Sequence, residues 1–196
     1  MPKKVDHGKR RQELIESTWT VIARRGLANT TMREIAKQAG YANGALKPYF
    51  PNKADLLEAT YSYVYAQTEA RIDEATQGTK GVAALRSLCL EVLPISELLL
   101  DEAYVVVAFW DAASRNKQQS QLISDSLVQW RGRIEKLLCE GKQVGAVRAD
   151  LDIPAFTGVF LSFLHGAQVT AINDPESFSP ARMKDQLESL LKLLSP

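Results

Sequence analysis

Residues 30–53, TTMREIAKQAGYANGALKPYFPNK, decide the fold of this chain. They read as two short helices around a tight glycine turn, followed by a loop and a fresh helix cap. Thr31-Met-Arg-Glu34 has the form of a capping box, in which the threonine hydroxyl accepts from first-turn amides and Glu34 reaches back. Gly40 supplies the left-handed turn that other residues resist. Ala36 is small where the two helices must approach, and Leu46 anchors the second helix against Ile35. Asn52 then caps a longer helix, with Asp55 in its first turn. So small a helix pair buries little core and is suited to reading DNA.

Working outward, the first helix spans about residues 7–25, with Leu14, Ile15, Thr18, Val21 and Ile22 inward and Gly26 as its stop. The recognition helix is expected over about 43–49 and the long helix that follows over about 52–76. Apolar residues recur at three and four spacing to the C-terminus, predicting further helices near 81–92, 95–115, 118–142, 153–172 and 180–194. Pro94, Asn116, Pro154 and Asn173-Asp174-Pro175 mark the breaks. No alternating strand pattern is present. The fold class is therefore all-α: an N-terminal three-helix helix-turn-helix head, residues 1–53, on a C-terminal helical body, residues 54–196, for which ligand binding and dimerisation are expectations that rest on the resemblance given below. No flexible linker separates the two.

Charge divides along the same line. The chain has a net charge of +1, but residues 1–53 carry a net +7 and residues 54–196 a net −6. A basic head on an acidic body fits a head that meets a polyanion. Lys9, Arg10 and Arg11, with Lys3 and Lys4 before them, are placed to follow a phosphate backbone or enter a minor groove. Tyr41, Asn43, Ala45 and Lys47 form the exposed surface of the recognition helix. Asn43 can pair with adenine, Lys47 with guanine or phosphate, and Ala45 can pack on a thymine methyl. Tyr49 and Lys53 are placed for phosphates, Lys53 at a helix start whose free amides also attract anions; Thr31, whose cap is architectural, is counted with the DNA-binding residues. Phe50 reads as a seal on the small core.

The order and spacing of Gly26, Thr30-Thr31, Ile35-Ala36, Ala39-Gly40, Gly44, Leu46, Tyr49-Phe50, Lys53 and Leu56-Leu57 resemble the TetR family of bacterial one-component transcriptional repressors, over about residues 8–60. The resemblance implies an all-helical homodimer whose heads bind a palindromic double-stranded DNA operator and whose bodies bind a small-molecule effector. Three features depart from the family's pattern. Tyr41-Ala42 stands where valine-serine is usual, Ala45 and Lys47 stand where threonine and tyrosine are frequent, and Pro48 closes the recognition helix. Proline removes an amide donor and disfavours helical geometry at Lys47, so that helix is expected to end early. These departures bear on which operator is read.

In the body, Gly158, Ser162, Gly166 and Thr170 recur every four residues, a stripe that lets two helices approach. Met183, Leu187, Leu190 and Leu194, with Leu191, give the last helix a broad apolar face. Together they suggest a four-helix dimer interface. Tyr63, Gln67, Phe109, Trp110, Trp130 and His165 are the candidates for an effector pocket. Residues 105–113, VVVAFWDAA, resemble the choline-responsive branch of the family, in which aromatic walls would hold a quaternary ammonium by cation–π attraction.

Cys89 and Cys139 lie in amphipathic patterns and read as buried thiols, without the spacing of a metal site or a disulfide framework. No cofactor is implied. The N-terminus has no apolar signal core, and the apolar run 153–172 carries His165, Gln168 and Pro154. A cytoplasmic protein with a buried interface helix is expected rather than a membrane span. An enzyme would need more than Asp111 and His165 as an acid–base pair, because no nucleophile elbow, metal spacing or phosphate loop accompanies them. A DNA-binding activator or architectural protein without an effector would instead have a solid body.

Overall fold

A computed structural model describes residues 6–27 and 29–196, with only the backbone of Asn43. Lys3, Lys4 and the side chain of Asn43 lie outside the described residues. The elements are α1 (His7–Arg25), α2 (Met32–Gln38), a 3-10 turn (Asn43–Leu46), α3 (Lys53–Thr76), α4 (Gly81–Leu90), α5 (Glu97–Ala113), α6 (Lys117–Gln143), α7 (Ile153–Asn173) and α8 (Pro180–Lys192). No strand occurs among the described residues.

Side-chain caps set most helix starts. Asp6, Thr31, Asn52, Ser96, Asn116, Asp152 and Ser179 each accept a first-turn amide of the helix that follows, satisfying donors that have no partner within the helix. The Thr31 box is half-formed. Its hydroxyl takes the Glu34 amide at 3.2 Å, but the Glu34 carboxylate pairs with Arg25 at 2.7 Å instead of reaching back. A guanidinium from the last turn of α1 is the stronger partner. Gly40 turns the chain at φ +73°, and the Tyr41 amide closes that turn on the Ala36 carbonyl at 2.8 Å.

The expected recognition helix over 43–49 is a 3-10 turn ending at Leu46. Pro48 ends it early, as its missing donor requires, while the Tyr49 and Phe50 amides both converge on the Leu46 carbonyl at 2.9 Å. Lys47 nevertheless keeps helical angles, φ −52° and ψ −38°, so the restriction before proline is overcome by that double anchor.

Three apolar clusters run through the molecule. Leu14, Ile15, Ile35, Ala36, Leu46, Phe50 and Leu56 form the head core. Ile22 of α1, Leu57, Tyr61 and Val64 of α3, and Val105, Phe109 and Ala113 of α5 form a joint between head and body. The largest cluster, from Ile72 to Leu194, holds α3, α4, α6, α7 and α8 together. α3 contributes to all three. At the crossing of α4 and α6, Gly81 at φ +57° lies so close to Gly141 that a Cβ on Gly81 would sit 3.2 Å from the Gly141 backbone.

Two expectations need correction. Cys89 is buried, and burial pushes its thiol up, but Cys139 lies on the exposed face of α6. Met183, Leu187 and Leu194 are 1%, 0% and 1% exposed. They fill the body's own core, because α8 turns its strong apolar stripe inward, against α4 and into the largest cluster. Of the α8 residues proposed for the dimer face, only Leu190 remains partly exposed. α7 is long and apolar enough to cross a membrane by composition, and it packs against α5 and α6.

Candidate DNA-reading head and effector cavity

The first turns of α1 lie beside the loop after the glycine turn. The Arg10 guanidinium stands 4.8 Å over the Tyr41 ring and that of Arg11 4.9 Å over the Phe50 ring. Tyr41 donates its hydroxyl to Glu13. That bond, and then burial, raises the phenol's pKa. Tyr41 is thereby tied to α1 and its hydroxyl is engaged within the head. The Tyr49 hydroxyl is hydrogen-bonded to His7 Nδ1 at 3.1 Å. Lys9, Arg11, Thr31 and Lys47 are exposed, and Ala45 is half-exposed between them.

Lys53 differs from the other basic candidates. Its ammonium donates to the Leu27 carbonyl at 2.8 Å, and burial lowers its pKa. It ties the loop between α1 and α2 to the start of α3. A basic surface for phosphate is therefore offered more openly by Lys9, Arg11 and Lys47.

The body contains a narrow cavity of about 50 Å³ between α3, α5, α6 and α7, room for roughly four waters. Its wall follows helical spacing. Tyr61, Tyr65 and Thr68 face it from α3; Leu99, Glu102, Val106 and Trp110 from α5; Ile123, Ser126 and Trp130 from α6; His165 and Gln168 from α7; and Glu91 and Val92 close it beyond α4. Tyr65 lies 6.3 Å from Tyr61 and 6.4 Å from Trp130, and Trp110 meets His165 edge-on at 4.7 Å. Burial, with Glu69 second, raises the Tyr65 phenol to about 12. Burial lowers the pKa of His165, favouring its neutral form.

Behind the aromatics sits an ionic cluster. Arg71 grips Glu102 with two bonds, 2.8 and 2.7 Å, and Glu91 with one of 3.2 Å. The Thr68 hydroxyl adds a bond of 3.2 Å to Glu102. Two carboxylates against one guanidinium leave a net negative wall, and Glu102 is only 5% exposed. A buried carboxylate is tolerated here because it is paired and hydrogen-bonded.

Of the six candidates for the pocket, Trp110, Trp130 and His165 line this cavity. Tyr63 turns toward the head, where it meets Trp19 at 6.1 Å. Gln67 is exposed. Phe109 stands behind the wall, fully buried and stacked on Tyr61 at 4.3 Å. Tyr61, Tyr65, Glu91, Glu102 and Gln168 were missed. A signal existed for the first two, which stand four apart on one helix face; Glu102 sits in a run of apolar residues, where a charge needs a partner. Asp111 pairs with Arg115 at 3.0 Å on the surface and does not line the cavity with His165.

A second concavity lies on the outer face of α7 and α8. Val159, Ser162, Phe163, Gly166, Thr170, Phe178, Leu190 and Leu193 line it, Val159 and Leu193 being exposed, and Val169 is exposed as well. Gly158 is half-buried on the same stripe.

Comparison with known proteins agrees with this division. The description "Bacterial regulatory proteins, tetR family" matches residues 14–60, and "BetI-type transcriptional repressor, C-terminal" matches residues 81–196. The HTH-type transcriptional regulator PksA of Bacillus subtilis is 31% identical over 185 residues, covering 94% of this chain and 89% of that protein. The fatty acid metabolism regulator protein of the same organism is 24% identical over 180 residues, covering 91% and 92%. A transcriptional regulator from Saccharomonospora viridis, solved in complex with choline, superposes with a TM-score of 0.88 at 23% identity, covering 95% and 97%. These matches make this chain a transcriptional regulator and not an enzyme. The chain belongs to the TetR family of bacterial transcriptional regulators, with a C-terminal body of the BetI type.

Proposed function

We propose that this regulator is a repressor that binds a near-palindromic operator as a homodimer and lets go when a small quaternary ammonium compound of the choline class fills the body cavity. The observation that carries the reading is the cavity's chemistry. Tyr61, Tyr65, Trp110 and Trp130 supply aromatic faces, and Glu91 and Glu102 supply net negative charge. A desolvated cation over such faces gains about 2 kcal/mol or more. His165, kept neutral by burial, adds no opposing charge at neutral pH. The cavity is narrow, about 50 Å³, so even a compact cation must part its walls, and a long acyl chain would have to part them further. An apolar cavity with a few polar groups in its wall also speaks against an effector-free activator or architectural protein.

Release would follow from the way the cavity is built. Tyr61 lines it and stacks on Phe109, and both belong to the apolar joint with Ile22 of α1. A ligand that separates these rings favours a different seating of α1 and α3, and so a different spacing of the two heads. The effect is a population shift, and its size is the ligand's differential affinity for the two arrangements. Dimerisation would use the exposed α7–α8 groove, where Ser162, Gly166 and Thr170 allow close approach and Phe163, Leu190 and Leu193 provide apolar area. Lys9, Arg10, Arg11, Thr31, Ala45, Lys47 and Tyr49 would contact the operator, about one DNA turn or a small multiple separating the half-sites. Such a protein acts in the cytoplasm, where its operator is.

Calorimetry of the full chain with choline, paired with fluorescence anisotropy on DNA from upstream of its own gene, tests the proposal. Binding heat together with loss of anisotropy is expected. The absence of both would end the effector assignment.

A further inference from the structure

Gln168 is a buried polar side chain that the protein leaves half-used. It is 8% exposed and lines the cavity. Its amide nitrogen donates to the Val92 carbonyl at the long distance of 3.5 Å, while its Oε1 has no partner among the described residues. A buried carbonyl without a donor is costly and uncommon. Much of the polar wall is already engaged. The Arg71 guanidinium is committed to Glu91 and Glu102, and the Thr68 hydroxyl is shared between the Val64 carbonyl and Glu102. The Tyr65 hydroxyl donates to Gln129 at 3.0 Å.

We infer that Gln168 is the specificity-determining residue of the effector cavity, accepting a hydrogen bond from a hydroxyl on the ligand and so selecting a cationic alcohol over its ether or carboxylate. The inference rests on the quaternary-ammonium reading of the cavity. The ammonium end is served by the aromatic rings, which do not distinguish one such cation from another. The other end of the ligand meets an acceptor, Gln168 Oε1, and elsewhere in the wall the buried Trp130 indole N–H also lacks a partner among the described residues. A hydroxyl can answer either group. An ether oxygen cannot donate and leaves Gln168 unsatisfied. A carboxylate cannot donate either, and it brings a full negative charge toward Glu91 and Glu102. Discrimination by hydrogen bonding is stronger than discrimination by size, because the wrong ligand leaves a buried group unpaired.

The test uses the full-length protein and four probes in calorimetry: tetramethylammonium, choline, choline O-methyl ether and glycine betaine. Choline is expected to bind roughly tenfold more tightly than tetramethylammonium and the ether, the worth of one hydrogen bond, and glycine betaine is expected to bind weakest. In Gln168→Met, which keeps the volume, the advantage of choline over tetramethylammonium should collapse toward one. The ligand series in the unaltered protein stands even if that variant fails to fold. Equal affinities for choline and its methyl ether, or an undiminished choline advantage in a folded Gln168→Met, would overturn the role of Gln168 while leaving a cation site intact. Failure of all four probes to bind would overturn the cation reading together with this one.

Discussion

Replacing Arg71 with methionine should expose how the cavity's charge is held. Glu102 has 6% of its side chain exposed, and Arg71 25%. The substitution removes two charge-assisted bonds of 2.8 and 2.7 Å from a carboxylate that keeps only the Thr68 hydroxyl at 3.2 Å. Bonds of that kind contribute about 1.5–3 kcal/mol each. Water entering the space left by a quarter-exposed arginine offsets part of the loss. The expected cost is about 3 kcal/mol, at the low end for breaking a buried pair by removing one partner. Urea unfolding followed by circular dichroism, at one protein concentration because the protein is expected to dimerise, should show the midpoint falling by roughly 1 M. The double variant Arg71→Met with Glu102→Met removes both charges and should recover most of that loss. A single-variant cost below about 1 kcal/mol, or a double variant no better than the single, would refute the view that the orphaned Glu102 carboxylate accounts for most of the destabilisation.

Lys47→Ala should weaken operator binding and lower the salt slope by about one while leaving the melting temperature unchanged; an unchanged slope would remove Lys47 from the phosphate contacts. Lys53→Ala should also cost about 1 kcal/mol of stability, because it strips the Leu27 carbonyl of its donor, and a melt identical to the parent would contradict that. Gly141→Ala would put a Cβ 2.6 Å from Val147 Cγ2 and 3.4 Å from Val82, so about 2 kcal/mol and a fall of roughly 4–8 °C in Tm are expected. Finally, burial lowers the His165 pKa below its ordinary 6.5. The unfolded chain therefore takes up that proton first, and stability is lost as pH falls from 6.5 toward the folded value. Thermal melts at pH 7.5 and 5.5 should show a smaller acid loss in His165→Gln than in the parent, and equal losses would argue against the burial.

The head was legible because its signals are local. Gly26 and Gly40 need positive φ, and Thr31 and Asn52 cap the helices that follow them. Each of those demands is written within four residues of the place where it acts. The cavity was only half legible, because helical periodicity gives the face on which a side chain lies but not what the neighbouring helix brings to it. Trp110 and Phe109 are adjacent in the chain, yet one lines the cavity and the other supports Tyr61 from behind. Which of the leucines on α8 faced a partner had the same difficulty: a broad apolar stripe looks alike whether it is covered by its own chain or by a second copy. Glu34 is a different case, where a long-range ion pair with Arg25 displaced a local bond.

Residue 53, the edge of the head by charge and motif, is the first residue of α3. The head's own core includes Leu56, with Ala59 and Tyr63 packed against it, all beyond that edge. Leu57 and Tyr61 meanwhile belong to the joint with α5. The gene segment that encodes DNA reading is therefore not a detachable part. A fragment ending at residue 53 would lose the floor of its core, and a chimera joined there would set one protein's α3 under another protein's α1. An exchange of operator preference between relatives should succeed when the donor segment runs through Tyr63 and brings matching partners for Val105 and Phe109. Chains of this kind would then diversify by changing the residues around the glycine turn far more readily than by trading whole heads.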